Sequence, residues 1–93
     1  MPAKKFQFTI LHTATVVEAE PEGDGRYMVR MMVPDRMARI RIGYLTGEKR
    51  TWFAEFFGRQ RPPMSAKSAK DACRELATWA AQQSGVSQFF IGN

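Results

Sequence analysis

The feature that most constrains the fold is the alternation of apolar and polar side chains along much of the first 57 residues. A period of two places successive side chains on opposite faces of a β-strand. The alternation is clearest in segments 26–33 and 36–45, where several of the polar positions are arginines. Strands with this pattern usually have one face in the core and the other in water or against a partner. The sequence therefore predicts an antiparallel sheet.

Four strands are predicted, with turn-forming residues between them. The first is long, at about 4–19, with a bulge or bend near His12 and Thr13 where the alternation changes phase. A hairpin loop rich in Glu, Pro and Gly is expected at 20–25. The other three strands are placed at about 26–33, 36–45 and 50–57.

One helix is predicted near the C-terminus, after a basic connecting segment. Residues 58–64 carry two arginines and two prolines. They are expected to form an exposed loop, because proline interrupts a strand ladder. Ser68 and Asp71 have the spacing of a capping box at a helix start. The helix is placed at about 65–84.

The predicted helix has a stripe of small apolar residues, mostly alanine, which would let its axis lie close to the sheet. Cys73 falls on this stripe and is expected to be a small core residue. The apolar tail at 86–93 is expected to pack internally, with docking on a second subunit as the alternative. These segments together predict one α+β domain over residues 1–93, an antiparallel sheet of about four strands followed by one helix packed on one face.

The sequence offers little for catalysis or metal binding. His12 and Cys73 are the only residues of their types, so neither a structural zinc site nor a nucleophile with a histidine base is recognisable. No catalytic residue, metal ligand or cofactor is assigned, and an enzyme is the weakest interpretation. No apolar stretch approaches the ~20 residues that a membrane-spanning helix needs. A cytoplasmic protein that does not bind membranes is expected.

Basic residues are concentrated in the middle of the chain. The net charge is +5, but residues 26–70 hold eleven basic and three acidic side chains. Four of the nine acidic residues instead lie within 18–24, where they are interpreted as solubilising residues of the hairpin loop. A regional excess of positive charge attracts nucleic acid or an acidic protein.

Alternation would gather several arginines on one face of the sheet. In the third strand the apolar row, which ends at Tyr44, faces the core, and Arg39 and Arg41 face away from it. A hairpin between the second and third strands brings Arg30 beside one of these two arginines. Like charges on neighbouring strands repel, so the side chains either fan into solvent or contact a phosphate backbone. A second layer formed by the C-terminal tail is the alternative.

The predicted surface combines phosphate contacts with base stacking. Phe53 and Phe57 are expected to point outward from the fourth strand, where each stacked base would contribute ~1–3 kcal/mol. The basic residues of the following loop are flexible, so little sequence specificity is expected. The candidate nucleic-acid-binding residues are Arg30, Arg39, Arg41, Phe53, Phe57, Arg59, Arg61, Lys67 and Lys70.

Two functions stay open. The first is a non-catalytic nucleic-acid-binding protein that prefers single strands. The second is a small adaptor or inhibitor that binds an acidic patch on another protein, through the same arginines together with Met28, Met32 or the Phe89-Phe90-Ile91 tail. An exposed Arg and Phe face would favour nucleic acid, whereas a free apolar tail would favour the adaptor. A homodimer formed through a strand edge is also open.

Overall fold

Six antiparallel strands form one sheet, and each strand pairs with the next along the chain. The computed structural model describes residues 3–48, 51–56, 59–83 and 85–90, without the side chains of residues 48, 59–65 and 89. One α-helix follows the sheet. The elements are β1 (Lys4–Ile10), β2 (Thr13–Gly23), β3 (Arg26–Val33), β4 (Ala38–Glu48), β5 (Thr51–Phe56), β6 (Arg59–Ser65) and α1 (Ala69–Ala80).

The α+β fold with a C-terminal helix on one face of the sheet is confirmed, but the sheet has more strands than the four predicted. The long first strand is two strands, β1 and β2, which pair from Ile10 with Thr13 to Lys4 with Ala19. Leu11 and His12 turn the chain between them, with φ of 48° and 64°. Neither is a typical turn residue, so the sequence carries no hairpin signal. His12 is an exposed turn residue, not the strand residue expected.

The prediction of a basic loop at 58–64 is also wrong, because most of this segment forms the edge strand β6. Arg61 pairs with Ala54 and Met64 with Trp52, and the register shifts between these pairs. The two prolines lie in that interval. A proline lacks the N–H that a ladder needs, and it is tolerated in an edge strand or where the pairing is irregular.

The acidic segment belongs mainly to β2 and not to a loop. β2 and β3 pair as far as Gly23 with Arg26, so the turn consists of Asp24 and Gly25. Both turn residues have positive φ, 55° and 73°, as the tight type I′ hairpin requires. The other three acidic residues of the segment, Glu18, Glu20 and Glu22, are therefore strand residues.

The helix packs across one face of the sheet, which we call the inner face. It contacts β1, β2, β4 and β5. The buried side of the helix consists of small residues and one leucine. The helix axis can therefore lie close to the strands, whose larger side chains fill the core. The buried helix residues are Ala72, Cys73, Leu76, Ala77 and Ala80, and the largest buried strand residues include Ile10, Met31, Ile42, Leu45 and Phe56.

The C-terminal segment packs on its own domain as far as it is described. Val86 and Phe90 are buried, which agrees with internal packing of the tail. Residues 91–93, and with them Ile91, lie outside the described residues. The helix itself is shorter than the predicted 65–84 and begins after Ser68.

A β-bulge in β4 sets which side chains share a face. Arg41 pairs with Arg30 and Gly43 with Val29, so Ile42 is the extra residue. It is fully buried. Gly43 has a φ of 147°, and a Cβ at this position would collide with the carbonyl oxygen of Glu55 on β5. The bulge shifts the alternation by one residue, because the strand has two residues there against one on β3.

Replacement of Ser68 by Ala should destabilise the protein by about 1 kcal/mol, because the Ser68 Oγ accepts a hydrogen bond from the Asp71 backbone N–H at 3.2 Å and an N-cap of this kind contributes about that much. Chemical denaturation measures the change in the free energy of unfolding. Ser68→Asp is the control, since Asp is an equally good N-cap. Equal stability of Ser68→Ala and the wild type would contradict this role.

Cys73 should be unreactive in the folded protein. It is fully buried, and burial raises the pKa of its thiol to about 12, whereas the thiolate is the reactive form. At pH 8 a thiol-specific reagent should label the denatured chain completely and the native chain only at the rate of unfolding. Rapid labelling of native protein would show that the side of α1 that carries Cys73 is not packed against the sheet.

Candidate nucleic-acid interface

The face of the sheet opposite α1, which we call the outer face, carries the arginines predicted from β3 and β4. The strand pairings align these residues with polar and aromatic residues of β1, β2 and β5. Arg39, Arg41 and Phe53 are exposed there, so the described part of the tail does not cover them. The charged and aromatic residues of the outer face are Lys5, Glu18, Glu20, Arg26, Arg30, Arg39, Arg41, Tyr44, Phe53 and Glu55.

Arg30 has its own counterions within the protein. Its Nη1 lies 2.7 Å from Glu18 Oε1 and 3.8 Å from Glu20 Oε2. The second oxygen of Glu18 lies 3.7 Å from Lys5 Nζ. The Glu18 side chain is only 9 % exposed and that of Arg30 is 23 % exposed. The repulsion expected between Arg30 and its neighbour is therefore offset by carboxylates of β2, and no external anion is required.

The interpretation of Glu18 and Glu20 as solubilising loop residues is wrong for this reason. Both lie on β2, directly opposite Arg30 and Met28 in the pairing with β3. A glutamate one strand away from an arginine on the same face is well placed for a cross-strand ion pair. Arg30 is therefore better described as part of an internal ion-pair cluster with Lys5, Glu18 and Glu20.

Arg39 and Arg41 differ from Arg30 in being exposed and without a counterion. Neither forms a hydrogen bond or an ion pair with the side chains that the structure describes. They are two residues apart on one face of β4, which separates them by roughly 6.7 Å. Arg39 pairs with Met32, and Arg41 pairs with Arg30. The predicted hairpin is present, and it leaves two adjacent guanidinium groups without a counterion among the described side chains.

A shallow groove lies further along the outer face, on the other side of the bulge. Arg26, Tyr44, Thr46, Phe53 and Glu55 line it. The Arg26 guanidinium carbon lies 4.1 Å from the centre of the Tyr44 ring, a cation–π contact. Arg26 Nε also lies 3.6 Å from Glu22 Oε1. The side chain of Phe53 is 47 % exposed, so this ring offers free aromatic surface.

The other candidate residues do not join this surface in the described structure. Lys67 and Lys70 are exposed beside the start of α1, on the helix side of the sheet. The backbones of Arg59 and Arg61 pair with Phe56 and Ala54, but their side chains are outside the described part. Phe57 is outside the described residues altogether.

Tyr44 and Glu55 were not among the residues predicted for this site. Sequence alternation assigns Tyr44 to the apolar, core-facing row of its strand, but the bulge moves it to the outer face opposite Glu55 and Met28. The one available signal was Gly43, since a glycine within a strand often marks a bulge. Glu55 lies on the same outward-facing side of its strand as Phe53, as alternation predicts, but it is half-buried and the sequence assigned it no role.

The described residues contain no group of three or more His, Cys, Asp or Glu side chains that could hold a metal ion. Within the same residues, no helix has the length and apolar character needed to cross a membrane. The chain matches no known protein-family model, curated protein or solved structure.

Replacement of Glu18 by Gln should lower the free energy of unfolding by about 1–3 kcal/mol, because it leaves a partly buried Arg30 without its closest counterion. Denaturant titration at low ionic strength measures the loss. Glu22→Gln is the matched control: it removes the same charge from an exposed ion pair, which contributes at most about 1 kcal/mol. Equal effects of the two substitutions would argue against the internal cluster.

Proposed function

We propose that this protein binds single-stranded nucleic acid through the outer face of its sheet, without catalysing a reaction. The observation that carries the proposal is the difference between Arg30, which is neutralised internally, and the neighbouring Arg39 and Arg41, which are exposed without a partner among the described side chains. A pair of free guanidinium groups on one strand suits the phosphates of an extended polynucleotide.

The binding surface is a stripe along β4 and its neighbours. Arg39 and Arg41 lie at one end, and the groove with Phe53 at the other. From Arg41 to Thr46 the strand advances roughly 17 Å at 3.3 Å per residue. A strand of several nucleotides could therefore contact the arginines with its backbone while one base reaches the exposed ring. The combination of a basic track with an aromatic platform is typical of single-strand binding.

A single strand fits this surface better than a duplex. Proteins that read duplex DNA commonly insert a helix into the major groove. The only α-helix of the described residues uses its apolar side against the inner face of the sheet. The outer face consists of strands, whose side chains are spread over a broad surface. Exposed bases of an unpaired strand can approach such a surface directly.

The carboxylates on this face limit the expected affinity. Glu18 and Glu20 neutralise part of the basic charge, so the phosphate contacts are confined mainly to Arg39 and Arg41. Each phosphate contact with a single strand contributes about 0.7 to the slope of the logarithm of affinity against the logarithm of salt concentration. Moderate affinity with a shallow salt dependence is therefore expected.

An adaptor that binds an acidic protein surface is the second candidate. The observation in its favour is Met37, a turn residue that is 95 % exposed between β3 and β4, close in sequence to the free arginines. Other features proposed for an adaptor are less accessible: Met28 is buried, and so is Phe90 of the tail. Nucleic acid is therefore preferred. A cytoplasmic location and a homodimer through a strand edge or the tail stay predictions.

The test is fluorescence anisotropy of labelled single-stranded and duplex oligonucleotides over a range of salt concentrations. The double variant Arg39→Ala/Arg41→Ala should bind single strands more weakly, and its salt slope should be smaller by about 1.4, since two contacts are lost. Lys67→Ala/Lys70→Ala removes the same charge from the helix side and should bind nearly as the wild type does.

Three results would decide against the proposal as stated. Equal losses in the two double variants would mean that net charge, and not the outer face, determines binding. Tighter binding to duplex than to single strands would contradict the strand preference. An absence of binding at low salt would favour the adaptor, which an acidic peptide library could then test with the same arginine variants.

A further inference from the structure

The groove at the end of the outer face contains a carboxylate that phosphate binding does not explain. Glu55 is half-buried, and it is two residues from Phe53 on the same face of β5. In the pairing with β4 it lies directly opposite Tyr44. Among the described side chains it has no hydrogen bond or ion pair. A carboxylate repels phosphate, so its natural ligand is a group of hydrogen-bond donors.

We propose that this groove binds one guanine base of the single strand, with Phe53 stacked on the base and Glu55 accepting hydrogen bonds from its N1–H and N2–H groups. The inference rests on the proposed function and deepens it. It gives the outer face a base preference at one position, in addition to the weakly specific contacts of the arginines.

Guanine fits because its Watson–Crick edge presents two adjacent donors. An ionised carboxylate has two acceptor oxygens and no donor, so it can accept from both at once. Adenine and cytosine present an amino donor beside an acceptor nitrogen, which a carboxylate repels. Thymine and uracil have one N–H between two carbonyl oxygens. Glu55 therefore distinguishes guanine from the other bases by the number of donors and by the absence of a facing acceptor.

The size of the groove suits an edge contact with a stacked base. Its volume is about 50 Å³, which is too small to enclose a base but enough to receive one edge. Of the two rings in the groove, Phe53 is the more available among the described residues, because it is 47 % exposed and the guanidinium of Arg26 already covers a face of Tyr44 at 4.1 Å from the ring centre. Phe53 and Glu55 are separated by roughly 6.7 Å along the strand, so a base on the ring can direct its edge toward the carboxylate.

Arg26 makes the carboxylate compatible with a polyanion. Its guanidinium lines the same groove as Glu55, and its partner Glu22 forms only an exposed pair with it, at 3.6 Å. A cation beside Glu55 reduces the repulsion between that carboxylate and the phosphates of the bound strand. The groove therefore suits a base whose sugar–phosphate backbone lies nearby, and it does not suit a free anion.

The test compares oligothymidylates of about twelve nucleotides that carry a single central dG, deoxyinosine, dA or dC. The wild type should bind the dG strand about tenfold more tightly than the all-dT strand, as for a weak bidentate base contact. Deoxyinosine lacks the N2 amino group and should give an intermediate affinity. Fluorescence anisotropy at one fixed salt concentration measures each dissociation constant.

Glu55→Gln should remove the preference for dG and leave the affinity for all-dT unchanged or slightly higher, since an amide has only one acceptor oxygen and a negative charge has been lost. Glu20→Gln is the matched control, because it removes a carboxylate from the same face away from the groove. It should keep the dG preference. Circular dichroism and the denaturation midpoint check that both variants fold.

The outcomes separate this inference from the proposed function. Salt-dependent binding of all strands with no preference for dG would overturn the guanine site and leave single-strand binding intact. The same conclusion would follow from a dG preference that Glu55→Gln retains. If no oligonucleotide binds, both proposals fail. Loss of the dG preference in Glu55→Gln but not in Glu20→Gln supports the site as described.

Discussion

The structure depends on one helix of twelve residues covering the inner face of a much wider sheet. A helix of this length spans only about 18 Å. Its alanines allow it to approach the sheet closely, and it contacts four of the strands. Large strand side chains, such as Phe56 and Met31, then fill the space on either side. The inner face of the sheet is thereby shielded from water. The outer face has to be stable in water, and its polar composition follows from that.

Charge on the outer face is divided between two roles that composition alone does not separate. Glu18 holds Arg30 at 2.7 Å and thereby stabilises the arrangement of β2 and β3. Arg39 and Arg41 on the next strand have no such partner in the described structure. The density of arginines is therefore a poor measure of a binding surface. The useful measure is the number of arginines that still lack a counterion after the protein's own carboxylates have formed their ion pairs.

Local patterns predicted the parts of the fold that local interactions determine. The capping role of Ser68, the burial of Cys73 and the position of Arg30 beside an arginine of the next strand all follow from spacing within a helix or a short hairpin. The errors arose where tertiary contacts decide. The turn at Leu11 and His12 requires positive φ at two successive residues that are not glycine, which is uncommon. The strand β6 forms in spite of two prolines because it lies at an edge. The placement of Tyr44 and Thr46 on the outer face depended on a bulge in β4 that alternation does not show.

Gly43 has a consequence for how this surface can change during evolution. Its backbone conformation and the nearby Glu55 carbonyl exclude any side chain, and it joins the part of β4 that carries Arg39 and Arg41 to the part that carries Tyr44. Exposed residues on either side can be exchanged singly, since each touches mainly solvent. A side chain at position 43 would instead force β5 away from β4 and separate the two halves of the surface. Related proteins should therefore differ at the exposed positions of this surface while this glycine stays invariant.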